Sequence, residues 1–186
     1  DGFVNLTDKH AFRPFNNSDL WAGGRICGGV WQQAESQYRK TIKIDGEAVT
    51  ELDYKANHPS MLYALLTSVP TLEDCYALPG YERGTLKLAI MRMINNPSRE
   101  KAIQSIRRGI QTKNVKLAKK GKPLLSTMTI PEIDMMVSKL EQLHKPIAAG
   151  FYDDKMTYML QNLEGEIATE ILVNLMRLGI CCLAVH

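Results

Sequence analysis

Asp53 is the first residue whose type and setting point to chemistry. Glu51-Leu52-Asp53-Tyr54 closes a segment of β pattern, and an apolar helix opens at Pro59, six residues on. A carboxylate in that gap is placed to hold a divalent cation against a phosphate chain. Arg83 and Lys87 stand four apart, so on a helix they share a face. Arginine brings a planar fork and lysine a point charge, and together they suit a triphosphate. The same spacing also serves an ordinary solvated helix surface. From Arg99 to Lys122 the basic residues are Arg99, Lys101, Arg107, Arg108, Lys113, Lys116, Lys119, Lys120 and Lys122, against Glu100 alone. A track for a polyanion and a solvated face both give such a block. Tyr152-Asp153-Asp154 reads as the opening of a long helix. Carboxylates there cap free N–H groups and oppose the helix dipole.

These side chains need elements to place them. The first twenty residues, with Asn16-Asn17-Ser18-Asp19, read as loop, and 23–33 as a glycine-rich strand or bend. Thr41 to Ile44, the Asp45-Gly46 turn signal and Ala48 to Tyr54 predict a β-hairpin. Pro59 predicts a helix to about Leu66 with Asn57 or His58 as its cap. A short helix follows from Pro70 to Asp74. Residues 81–95 read as a helix with Leu86, Ile90, Met93 and Ile94 on one side. Further helices are predicted from Pro97 to near Gly109, from Pro131 to Leu143, and from Asp153 to Leu178, the last stopped by Gly179. Ile180 to His186 reads as an apolar strand. The pattern is mixed α+β, with Asp53 and the last strand expected on one small antiparallel sheet.

Composition narrows the class. Hydrophobic residues make up 45% of the 186 residues and charged residues 23%, enough apolar surface for a core. No run of apolar residues is long enough for a transmembrane helix, so no membrane partner is expected. Cys27, Cys75, Cys181 and Cys182 form no CxxC pair. They read as buried free thiols in a reducing cytoplasm rather than a zinc site or disulfide framework. The sequence has no starting Met and no signal-peptide pattern, and is read as a piece of a longer protein.

The order of the motifs resembles that of A-family DNA polymerases, over 23–186. Gly24-Arg25 followed by Gln33 resembles the stretch ahead of the family's catalytic aspartate. Leu52-Asp53-Tyr54 is similar to its palm motif, and Arg83-x-x-x-Lys87 to the start of its nucleotide-binding fingers helix. Leu160 to Ile171, with Glu164-Gly165-Glu166, resembles a later palm helix, and Leu183-Ala184-Val185-His186 the strand that presents a second metal-binding aspartate. Asp53-Tyr54 with Pro59-Ser60-Met61 also resembles a B-family motif.

The resemblance implies a polymerase-like palm, a small antiparallel sheet, with helical fingers. It divides the chain into an N-terminal loop or end of a preceding domain (1–22), a first palm part (23–80), a fingers-like region (81–150) and a second, truncated palm part (151–186). The implied activity is template-directed nucleotidyl transfer from nucleoside triphosphates to a DNA primer-template, in the host cytoplasm if phage-encoded. Two Mg²⁺ ions about 3.5–4 Å apart are implied. Asp53 is their implied ligand, and a second aspartate is expected directly after His186. His58, Arg83, Lys87 and Asn95 are the implied nucleotide contacts, and Arg25, Gln33 and His186 the nucleic-acid contacts. Where the family has an aromatic and a tyrosine, this chain has Met91 and Asn95. Asn95 is therefore read as a hydrogen-bond donor. The competing readings are a single-subunit RNA polymerase, a non-catalytic nucleic-acid-binding module that kept the fold, and an unrelated helical interaction domain.

Overall fold

The structure, a computed structural model, describes residues 10–185. It is mixed α+β and mostly helical, with two separate two-stranded antiparallel sheets. The chain divides into two compact units, Asp1–Lys55 with Tyr158–His186, and Ala56–Thr157.

Ala56–Thr157 is the helical unit. It holds α3 (Asn57–Leu66), α4 (Arg83–Ile94), α5 (Arg99–Lys119), α6 (Ile130–Leu143) and a 3₁₀ turn over Lys145–Gly150. Apolar side chains at helical spacing face one another: Leu86, Ile90, Met93 and Ile94 from α4, Ile106 from α5, and Ile133, Met136 and Leu140 from α6 are all fully buried. Burial of each contributes about 1.5–3 kcal/mol against the unfolded chain. Ser98 caps α5, accepting from the Lys101 N–H at 3.2 Å. Thr129 and Glu132 form a capping box at the start of α6. α5 does not end near Gly109 but runs ten residues further, to Lys119. Gly109 is no terminator. A Cβ there would lie 3.1 Å from the Leu88 methyls, so glycine lets α5 approach α4 closely.

At the centre of this unit His144 is fully buried. Its Nε2 lies 2.9 Å from the Cys75 carbonyl oxygen and its Nδ1 3.2 Å from the Tyr63 hydroxyl. A carbonyl only accepts, so the proton sits on Nε2 and the Tyr63 hydroxyl donates to Nδ1. Burial pushes the imidazole pKa down, partly opposed by the hydrogen bond to Cys75.

The other unit starts with a hairpin where the sequence predicts loop. β1 (Phe15–Asn16) pairs with β2 (Asp19–Gly23) around Asn17 and Ser18, both at positive φ as a two-residue turn needs. Two short helices follow, α1 (Val30–Gln33) and α2 (Ser36–Arg39), then a second hairpin of β3 (Lys43–Ile44) and β4 (Glu47–Ala48). Its Asp45-Gly46 turn has positive φ at both residues, as predicted. The strand expected to reach Tyr54 stops at Ala48. Upstream, Thr41 and Ile42 bond back to Tyr38 and Arg39 in a turn, so Val49 to Asp53 have no ladder partner.

α7 (Asp154–Arg177) is the long predicted helix. Asp153 caps it, accepting from the Lys155 N–H at 2.8 Å, which is the capping role read for this carboxylate. At the other end Gly179 has φ +73°, and the Ile180 and Gly179 N–H groups reach back to Leu175 and Met176. Two other expectations fail. Residues 70–74 are not helical: the Asp74 side chain accepts from the Tyr76 N–H, a local turn in place of a helix. Residues 180–185 are not a strand, so the sheet expected to join them to Asp53 does not form among the described residues. The Ala184 carbonyl is instead held by side chains, the Trp31 indole at 2.7 Å and the Gln32 amide at 3.0 Å.

The cysteines are free, but only Cys75 is buried and Cys181 is exposed, against the expectation of buried thiols. No helix among the described residues is long and apolar enough to cross a membrane.

Candidate nucleotide and nucleic-acid site

In the unit that contains α7, Asp53 lies in the irregular stretch 49–54, exposed, three residues before the N-cap Ala56. It is not at a strand end. Among the described residues no three His, Cys, Asp or Glu side chains gather into a metal-binding group. Nearby carboxylates are in use. Glu51 takes the Arg39 guanidinium at 2.8 and 3.3 Å, which holds its carboxyl below the usual range. Two Mg²⁺ ions need bridging carboxylates from more than one segment. Asp53 belongs to no such group among the described residues, and the second carboxylate that the resemblance implies is the one expected directly after His186.

Arg25 and the Glu164-Gly165-Glu166 motif meet, though as structure rather than as a bare nucleic-acid contact. Arg25 Nε donates to Glu164 Oε2 at 2.7 Å, and Arg13 Nη1 donates to Glu166 Oε1 at 2.7 Å. Between them Gly165 sits against the Gly24 backbone so closely that any Cβ would collide with the Gly24 carbonyl. The glycine of the motif is therefore what lets α7 lie against the hairpin strand. The Asn162 amide donates to the Leu20 carbonyl at 2.8 Å on the same seam. Gln33 ends α1 with its side chain exposed, and its neighbour Gln32 makes the bonds. His186 lies outside the described residues.

In the helical unit, Arg83 is the first residue of α4 and Lys87 stands one turn on, both exposed beside the buried stripe of Leu86 and Ile90. Arg83 grips the Asp74 carboxylate at 3.0 and 3.2 Å and lies over the Tyr76 ring, 5.1 Å from its centre. The bond to Asp74 raises its pKa and keeps it cationic. Such an exposed pair is held weakly enough for a stronger anion to compete. Asn95 does not face solvent as a free donor; its amide donates to the Met91 carbonyl at 2.7 Å and closes α4. His58 is the second residue of α3 and buried, so neither it nor Asn57 is the cap, and its ring is not displayed for a sugar.

The basic block divides. Arg99 is taken internally by Asp134 and by Glu141 at 3.1 Å, and the Tyr152 hydroxyl donates to the same Glu141 at 2.8 Å. Burial pushes the Tyr152 phenol pKa up, with Glu141 adding to the shift. Lys101, Arg107, Arg108, Lys116, Lys119 and Lys120 are exposed on α5 or just past its end. The seam between α4 and α5, with Arg92 and Lys113, was not singled out from sequence. Its signal was the 105, 108, 112, 116 spacing, hidden once the helix was ended at Gly109. Comparison of the chain with protein-family models, with curated proteins and with solved structures finds no match in any of the three.

Proposed function

We propose that the chain is part of a template-directed nucleotidyltransferase of the DNA-polymerase type. Its partners are nucleoside triphosphates and a DNA primer-template, its implied ion is Mg²⁺, and its place is the cytoplasm. The order of motifs from Gly24 to Val185 supports the reading at the level of sequence. The structural observation that carries it is α4. This helix buries Leu86, Ile90, Met93 and Ile94, and at the margin of that stripe it presents Arg83 and Lys87 one turn apart to solvent. Lys87 contributes charge and Arg83 a fork that can exchange Asp74 for phosphate oxygens. Asp53 is the candidate metal-binding carboxylate and stays exposed for that role.

Lys87→Ala is the first test. Titration with a fluorescent deoxynucleoside triphosphate in Mg²⁺ should show affinity falling about tenfold or more, the scale of one lost charge-assisted contact. Unchanged affinity returns Lys87 to a solvated surface charge. A second reading is a nucleic-acid-binding module without turnover, favoured by the exposed basic side chains of α5. It predicts oligonucleotide binding that Mg²⁺ and triphosphate leave unaltered.

A further inference from the structure

α4 and α5 run antiparallel, with Gly109 against Leu88 and Lys113 Nζ donating to the Gly84 carbonyl at 3.4 Å. A cleft of about 410 Å³ opens along this seam. It is lined by Arg92 of α4 and by Ser105, Arg108, Thr112, Lys113 and Lys116 of α5, and by no carboxylate. An adjoining cleft of about 390 Å³ shares Arg108 and is lined also by Glu100, Lys101 and Gln104. Arg92 Nε is buried without a hydrogen-bond partner among the described residues. A buried guanidinium N–H left unsatisfied wants an acceptor, and an anion oxygen in the cleft would supply one.

We propose that this seam is a second phosphate site, holding the backbone of a single-stranded nucleic acid along α5 from Lys101 to Lys116. The proposal rests on the nucleotidyltransferase reading and adds where a strand lies, away from the Arg83–Lys87 strip. Two features select the ligand. Cations and hydroxyls without a lining acid in the main cleft select a phosphate ester over a neutral or cationic partner. Lys101 and Lys116 are fifteen residues apart, about 22 Å along a helix, longer than one nucleotide needs. Arg99 belongs to the basic block by sequence but not to the track, because Asp134 and Glu141 hold it.

The test is binding of a short fluorescent oligo(dT) across a range of NaCl concentrations. The double variant Arg108→Gln/Lys116→Gln is compared with Lys119→Gln/Lys120→Gln, which removes the same charge at the helix end. All four side chains are exposed, so both variants keep the fold. The track predicts that the first variant lowers the slope of log affinity against log salt by about 1.4, two phosphate contacts at about 0.7 each, and that the second leaves it unchanged. Equal flattening by both, or by neither, overturns the track, as does binding to anionic lipid vesicles with none to oligo(dT). Triphosphate affinity is read in parallel. If it depends on Lys87 while the slope ignores Arg108 and Lys116, the seam fails and the nucleotide reading stands. If triphosphate does not bind while the seam variant still flattens the slope, the nucleotide reading fails instead.

Discussion

The two units are stabilised by different physics. In Ala56–Thr157 the fully buried side chains are mainly Leu, Ile, Met and Val from successive turns of its helices, tied at one point by the His144–Tyr63 pair. In the other unit the buried apolar side chains are Ala22, Ile26, Trp31 and Leu160. Its elements are joined by arginine–glutamate pairs, by side-chain bonds to carbonyls, and by the contact of Gly165 with Gly24. An apolar core loses stability in proportion to volume removed, whereas a polar seam depends on a few positions and on backbone approach. Segments with little buried apolar surface are also those that open most easily, and Asp53 lies in one.

The largest expected effect is in the helical core. Leu86→Ala should cost about 2–5 kcal/mol, read by chemical denaturation. A cost under about 1 kcal/mol would mean that the core is not packed as described. Gly165→Ala should come next. It places a methyl where the Gly24 carbonyl stands, with an overpacking cost of about 1–3 kcal/mol and protease sensitivity in the hairpin. Gly109→Ala sharpens the contrast, since its neighbours are only the movable Leu88 methyls. It should change stability by less than about 1 kcal/mol in either direction, helix propensity offsetting the crowding. If the two alanines behaved alike, the distinction between a backbone seam and a side-chain seam would fall.

Acid should separate the units as well. Burial lowers the His144 pKa below its unfolded value, so the neutral ring's contribution is complete above that value and is lost as pH falls through about 6.5 and below. Stability of the helical unit should decline toward pH 5 by up to about 1.4 kcal/mol per pH unit, and His144→Gln should remove that part of the slope. A pH-independent difference between the two proteins would contradict the buried neutral imidazole.

The helical unit was legible because its signals are local and redundant. Leu86, Ile90, Met93 and Ile94 recur at helical spacing, and Pro131-Glu132 marks one helix start. Gly179 and the Asp45-Gly46 turn were read correctly for the same reason. What failed depends on partners distant in sequence. The β pattern of 49–54 is real but finds no ladder partner, and the apolar 180–185 is held by the Trp31 and Gln32 side chains instead of a neighbouring strand. Gly109 carried the residue type of a helix stop while serving a helix crossing. At the candidate site, the exposure of Lys87 followed from spacing. The capture of Arg83 by Asp74 and of Arg99 by Asp134 and Glu141 did not, because ion pairs across elements leave no periodic trace.

The central claim is that Asp53 serves nucleotide incorporation. It is tested most directly by Mg²⁺-dependent primer extension with the intact protein and its Asp53→Asn variant, with primer-template binding measured alongside. The account predicts extension by the native protein, and loss of incorporation with near-normal DNA binding in the variant. Undiminished extension by Asp53→Asn would contradict it.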